Sequence, residues 1–336
     1  MTAALSSSDF VRAPLLSAAD PVDFKEWQHF VVHAPDVRIL VNLSLTHDGR
    51  GLIPRVIVVV HHRTWTGAVE RFEHTDVTVS ADLSELAVGG NRITVRPDGY
   101  DIVVDLPTHQ ISGQIHCTSG SRPFVVNNQP VGDDGRMCWL FVPRLRADGR
   151  LRIAGREHRI ADAVAYHDHN WGRFRWGDDF GWTWGTILPT TADDPWSLVF
   201  LQMTDRRRLR TLSQALYVWH RDEPAAIFRH AAVQTHIDGP LGRPADCTLP
   251  APMRLVLNGR TPGVPERIRV SAERAGDTVH AEFRAQSYVR LAQPSEAHLD
   301  RSVVLCEAGG TAHVRGRVGG RDLDVVGTAV FEFLHG

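Results

Sequence analysis

At 336 residues the chain is long enough for two domains, with one large β fold as the alternative. Hydrophobic residues make up 43% and charged residues 23%, with a formal net charge of -2. That is ample material for a sizeable core, and it lacks the basic excess that phosphate backbones demand, so nucleic acid is not an expected partner. Lys25 is the single lysine, so lysine-based catalysis is excluded unless it runs through that residue.

Taken in chain order, the first twenty residues show no basic segment followed by an apolar run, and hence no secretory signal. Strand-length segments rich in valine and isoleucine then follow one another. They include Arg38–Leu45, Arg55–His61, Asp101–Leu106, Leu198–Met203, Arg267–Val270 and Asp322–Val330. Turn signals separate them, among them Gly89-Gly90-Asn91, Pro97-Asp98-Gly99, Asp133-Asp134-Gly135, Ala147-Asp148-Gly149, Ala275-Gly276-Asp277 and Gly319-Gly320. Short strands at such spacing point to an all-β antiparallel sandwich or barrel. Regular βαβ alternation is absent, and Arg206–Ala215 is the one stretch that reads as a short helical turn. No segment reaches the ~18 apolar residues of a membrane span, so a cytoplasmic protein is expected, with peripheral membrane contact left open. Cys117, Cys138, Cys247 and Cys306 form no C-x-x-C pair and read as buried thiols of a reducing compartment.

An internal echo runs through the chain. Arg152–Arg156 leads into a strand carrying Tyr166-His167-Asp168, and Arg317–Arg321 leads into one carrying Phe331-Glu332-Phe333. Aligned on Gly155 and Gly320, Tyr166 falls on Phe331. Trp27 and Trp182 each open a hairpin, through His33–Asp36 and Pro189–Pro195. Two similar β units in tandem follow, with 20–175 as an N-terminal domain and 176–336 as a C-terminal domain. Shared turn chemistry of unrelated hairpins is the competing explanation.

The most unusual segment is Tyr166-His167-Asp168-His169-Asn170-Trp171-Gly172. As a strand it alternates faces, with Tyr166, Asp168 and Asn170 on one side and His167, His169 and Trp171 on the other. Gly172 then permits a bend or a close backbone approach. Polar residues in such a run are costly to bury unless each finds a partner. One reading is catalytic: an acid and a base beside an indole face that can steady a cation. The other is structural, with Asp168 and Asn170 fastening a corner between domains. His167-x-His169 also has the form of a two-histidine metal site, but no third ligand stands out, and no metal or cofactor is expected.

Trp176, Trp182 and Trp184 crowd the stretch that follows, with Phe174 and Phe180 between them. They suit a packed interface or an aromatic-lined pocket for a large apolar ligand. Arg206-Arg207-Arg208 reads as a solvated loop. There is no G-x-S-x-G elbow, P-loop or G-x-G-x-x-G turn, so nucleotide and nicotinamide chemistry has no support.

The 166–172 segment resembles the Asp-His-x-Trp signature of the carotenoid 1,2-hydratase (hydroxyneurosporene synthase) superfamily. That group also holds attachment-protein-type lipocalin-like proteins, natural-product cyclases and Diels–Alderases. Glu26-Trp27-Gln28-His29-Phe30 resembles its Glu-Trp-Trp-Tyr-type opening, and the order through Pro143 and Gly155-Arg156 also fits. The resemblance runs from about residue 22 to the end. It implies two lipocalin-like antiparallel β-barrel or sandwich units packed together, working without a cofactor on a hydrophobic substrate. It carries catalytic roles to His169 and Trp171, beside Asp168. It also carries an acid role to Asp205 in Met203-Thr204-Asp205, where the family's Tyr-x-Asp pair has lost its tyrosine. Tyr166, Asn170, Trp27, Trp176, Trp182 and Trp184 would line a pocket where the domains meet.

Three functions are open at this point. The first is a cofactor-free cyclase or isomerase of a polyene or polyketide-type intermediate. The second is a carotenoid hydratase, and the third a non-catalytic carrier of a lipid or pigment. Substrate identity and oligomeric state are not legible.

Overall fold

The computed structural model of the chain describes residues 5, 8–15, 23–47, 49, 51–191, 193–240, 264–298 and 301–335. These divide into two compact units, Met1–Phe174 and Arg175–Gly336. Both are antiparallel β throughout, with only short 3-10 turns between strands, and together they form two tandem lipocalin-like units.

The first unit contains β1 (Phe24–Ala34), β2 (Val37–His47), β3 (Leu52–His62), β4 (Thr64–Arg71), β5 (Val77–Val79) and β6 (Glu85–Val88). It continues with β7 (Asn91–Arg96), β8 (Gly99–Leu106), β9 (Ile111–Ser119), β10 (Phe124–Val131), β11 (Gly135–Ile153) and β12 (Arg156–Arg173). The second unit contains β13 (Gly181–Pro189), β14 (Trp196–Thr204), β15 (Thr211–His220), β16 (Glu223–Arg229) and β17 (Val233–Pro240). It ends with β18 (Pro265–Arg274), β19 (Asp277–Pro294), β20 (Ser302–Val318) and β21 (Arg321–His335).

The strand orders match. The first sheet runs β4-β3-β2-β1-β12-β11-β9-β8-β7-β6-β5, with β10 added on β11, and the second runs β16-β15-β14-β13-β21-β20-β19-β18-β17. In each unit the last strand pairs with the first, so a meander is drawn back on itself. The close approach of β3 to β6, and of β15 to β17, shows each sheet curling around its own core. Alternation drives this. Val37, Ile39, Val41, Leu43 and Leu45 of β2 all enter the first core, and Leu198 and Phe200 of β14 enter the second. β13 and β14 are buried on both faces, so the polar Thr183, Thr186, Ser197 and Gln202 are buried among their apolar residues.

Four expectations are corrected. Arg206–Ala215 is not helical: a tight turn leads into β15, because the Asp205 carboxylate takes the backbone N–H groups of Leu209 and Arg210 at 2.7 and 3.1 Å. Ala147-Asp148-Gly149 is no turn but continues straight through β11; the register shift opposite it comes from an extra residue of β12 between Ile160 and Ala163, a bulge where Asp162 donates its N–H to Asp148 at 3.0 Å. That bulge breaks the echo at residue level. Phe331 enters the second core, whereas Tyr166 lies on the face of β12 turned away from the first. The β20–β21 pair has no such shift. Finally, Cys138 is only half-buried, while Cys117 and Cys306 are buried; Cys247 lies outside the described residues. No helix among the described residues is long and apolar enough to cross a membrane.

Candidate functional site

The 166–172 segment is the end of β12, held between β1 and β11. Its register sets His167 opposite Phe30 and Val142, His169 opposite Gln28 and Leu140, and Trp171 opposite Glu26 and Cys138. Directly opposed residues share a face. Phe30, Val142 and Leu140 belong to the first core, so both histidines point inward.

There they meet Asp9, delivered by the N-terminal segment. His169 Nδ1 lies 2.5 Å from Asp9 Oδ1 and its Nε2 lies 2.8 Å from Glu26 Oε1. His167 Nε2 lies 3.0 Å from Asp9 Oδ2, and its Nδ1 3.0 Å from the His29 carbonyl. Tyr100 donates its hydroxyl to Asp9 Oδ2 at 2.8 Å. The backbone N–H groups of Arg12 and Ala13 donate to Glu26 at 2.6 and 2.7 Å. Asp9 and both imidazoles are fully buried, at 0% exposure, so the satisfaction of every ring nitrogen is what makes the cluster affordable.

Charge settles within it unequally. Burial alone would raise the Asp9 carboxyl, but the His169 cation and the hydrogen bonds from both histidines hold it far below the ordinary carboxylate range. Burial likewise works against the His169 cation, yet Asp9 and then Glu26 carry it up to about 9. Burial prevails at His167, whose pKa is lowered, so this ring is neutral. The Trp171 ring lies tilted against His169 at 5.0 Å and under the Arg12 guanidinium at 4.4 Å. No nitrogen of the His167-x-His169 pair is left over for a metal ion or a substrate.

The opposite face of the same strand differs. Asp168 sits between His29 of β1 and Phe141 of β11, and Asn170 sits between Trp27 and Trp139. The Asn170 amide donates to Asp168 Oδ1 at 2.6 Å. Tyr166, Asp168, Asn170 and Trp27 are all buried, and none belongs to the apolar core. His29 has its pKa driven down to about 3, by burial and then by His167, and stays neutral beside Asp168. This face therefore offers a polar pair between aromatic rings, with a neutral imidazole in line.

Gly172 fulfils its expected close approach: a Cβ there would lie 2.1 Å from the Arg136 carbonyl oxygen. Lys25 donates to the Phe174 carbonyl at 2.7 Å and is buried. Asp205 caps its own turn, as above.

In the second unit, Trp182 and Trp184 lie on the face of β13 turned away from the core, and Trp176 packs edge-on to Trp182 at 4.7 Å. Trp184 stands opposite Glu332 of β21, and Glu332 stands opposite Glu307 of β20. Both carboxyls are buried. Sequence reading passed over this pair and over Asp9. Glu332 left one trace, a lone charge inside Val330-Phe331-Glu332-Phe333-Leu334; Asp9 left none.

No family model matches the chain, and no curated protein matches it. Solved structures do. A Nitrosomonas europaea protein assigned as AttH is 13% identical, with 97% of each chain covered and a TM-score of 0.61. CghA in complex with Sch210972 is 13% identical over 93% of this chain and 88% of that one, with a TM-score of 0.62. Kievitone hydratase from Nectria haematococca is 12% identical over 100% of this chain and 96% of that one, with a TM-score of 0.59. At these identities the likeness establishes the fold.

Proposed function

We propose that the chain is a cofactor-free enzyme that cyclises or isomerises a hydrophobic polyene or polyketide-type natural-product intermediate. The observation that carries this reading is the division of β12. Its inward histidines are consumed by Asp9 and Glu26, while Asp168 and Asn170 stand outside the core between Trp27, Trp139 and Phe141. Burying a carboxyl and an amide among rings costs stability, and a simple carrier of an apolar ligand gains nothing from it. A catalyst does gain: the rings fold an apolar chain into a reactive shape, and the polar pair binds its one functional group. In this reading Asp168 and Asn170 act on the substrate, Tyr166 and Trp27 shape its binding surface, and His169 with Trp171 holds the scaffold.

Hydration of an acyclic carotenoid end group is the second reading. The hydrogen-bonded Asp168–Asn170 pair favours it, since it gives a water molecule two polar anchors. One of the similar structures is a hydratase by name.

Incubating the purified protein with acyclic polyene and polyketide-type precursors tests both. Conversion faster than the spontaneous rate, to a single stereoisomer, is expected. Ligand retained unchanged across the panel, as read by mass spectrometry of extracts, would leave only a carrier.

A further inference from the structure

We propose that Glu332 and Glu307 form the proton-delivering group of this enzyme, Glu332 protonating the substrate and Glu307 steadying the cation that results. The proposal rests on the reading above and specifies its chemistry as proton-initiated rather than purely pericyclic.

The geometry comes from register. Glu307 of β20 and Glu332 of β21 are direct cross-strand partners, which places their Cβ atoms roughly 5 Å apart on one face. Their chain neighbours Cys306, Ala308, Phe331 and Phe333 all enter the second core, so both carboxyls project the other way. Trp184 is Glu332's partner across β13, and Trp182 lies two residues before it on the same face. The carboxyls are 3% and 7% exposed. Two carboxylates so close and so dry do not ionise together. Burial, then the Glu307 charge and the hydrogen bond to it, push Glu332 well above its ordinary range, against the Trp182 indole. One proton is therefore held at neutral pH, on a carboxyl flanked by indole rings.

A second observation marks the same face as a place where something binds. Thr186 lies two residues beyond Trp184 on β13, and Ser197 is on β14 beside it; Leu198 and Ile187 go to the core, so both hydroxyls face outward with Glu332. Each is 0% exposed, and neither hydroxyl has a partner among the described residues. Fully buried hydroxyls nearly always have one. A polar group of a ligand, or a water beside it, supplies what is missing.

The step balances without a further reagent. The Glu332 O–H bond breaks, and its proton forms a C–H bond with the π electrons of a substrate alkene. The adjacent carbon becomes a cation, facing the Glu307 carboxylate and the indole faces. A second double bond of the substrate attacks it to close a ring. Loss of a proton from the next carbon restores an alkene and returns the proton to the dyad. In the hydration variant water attacks instead, and its proton returns to the dyad.

The test uses the intact protein, an acyclic polyene in heavy water, and the variants Glu332→Gln and Glu307→Gln. In the wild type, solvent deuterium is expected in the product, and Glu332→Gln is expected to lower turnover by about 100-fold or more while retaining substrate binding. Glu307→Gln removes the charge that raises Glu332, so the alkaline limb of its pH–rate profile is expected at lower pH. A substrate-free readout runs alongside: difference infrared spectra of wild type against Glu332→Gln are expected to show a protonated carboxyl at neutral pH. Turnover by Glu332→Gln within about threefold of wild type, a product without deuterium, or no carboxylic-acid band overturns the assignment. If the wild type converts no precursor, the enzymatic reading itself fails, and that result is distinct from a wild type that works while Glu332→Gln works equally well.

Discussion

His169 holds its proton because Asp9 and Glu26 outweigh the cost of burying it. Removing Asp9's charge strands that cation. Asp9→Asn is expected to cost about 3–5 kcal/mol, the penalty for breaking a buried ion pair, measurable by urea denaturation. The sign of the pH dependence follows. A histidine raised from 6.5 to about 9 on folding contributes stability that is complete below 6.5 and lost as pH rises through 9. Asp9, depressed on folding, contributes above the ordinary carboxylate range and loses its share as pH falls. Both contributions are whole between about pH 4 and 6.5. Asp205 offers a contrast. Its carboxylate holds a solvent-facing turn, so Asp205→Ala is expected to cost about 1 kcal/mol and leave turnover intact. The odd chemistry of 166–172 and its division into two faces were visible in sequence, but which face turns inward was not, because the partner that claims the histidines stands far away in the chain at Asp9.

At the level of strands, β12 depends on glycine where it crosses β11. A side chain at Gly172 would run into the Arg136 carbonyl and Met137 Cα, at 2.1 and 2.9 Å. Gly172→Ala is expected to cost roughly 1–3 kcal/mol and to loosen the Trp171 end of the strand, seen as a lower midpoint in thermal melts. Most strands were legible because valine and isoleucine alternate with polar residues between clear turns, as in β2, β3 and β8. Bulges were not. Ala147-Asp148-Gly149 has the composition of a turn, and only the long-range pairing of β11 with β9 and β12 carries the chain straight through it. The extra residue of β12 near Asp162 is also why an echo aligned on Gly155 and Gly320 matches topology but not faces.

Across the molecule, two units of one topology carry opposite polar devices. The first buries a charge-paired cluster inside its core; the second places an acid pair outside its own. They titrate differently. Glu332, raised on folding, contributes most below its unfolded value of 4.5, and that share declines as pH rises above it. Hydrogen exchange is therefore expected to show β21 losing protection as pH rises above about 4.5, while β12 holds until pH climbs above about 6.5. Glu332→Gln is expected to raise the melting temperature at neutral pH, since it removes a cost that a purely structural pair would not impose. Tandem organisation was legible from the repeated turn-and-strand runs. The acid pair was not, because Glu307 and Glu332 become neighbours only through the pairing of β20 with β21.

The central claim is that the face of β12 carrying Asp168 and Asn170 does chemistry while the histidine face holds the fold. The rate at which Asp168→Asn converts an acyclic precursor, compared with wild type at equal folded fraction, tests it most directly. A fall of about 100-fold or more with an unchanged melting temperature is the expected result. A rate within about threefold of wild type would contradict the account.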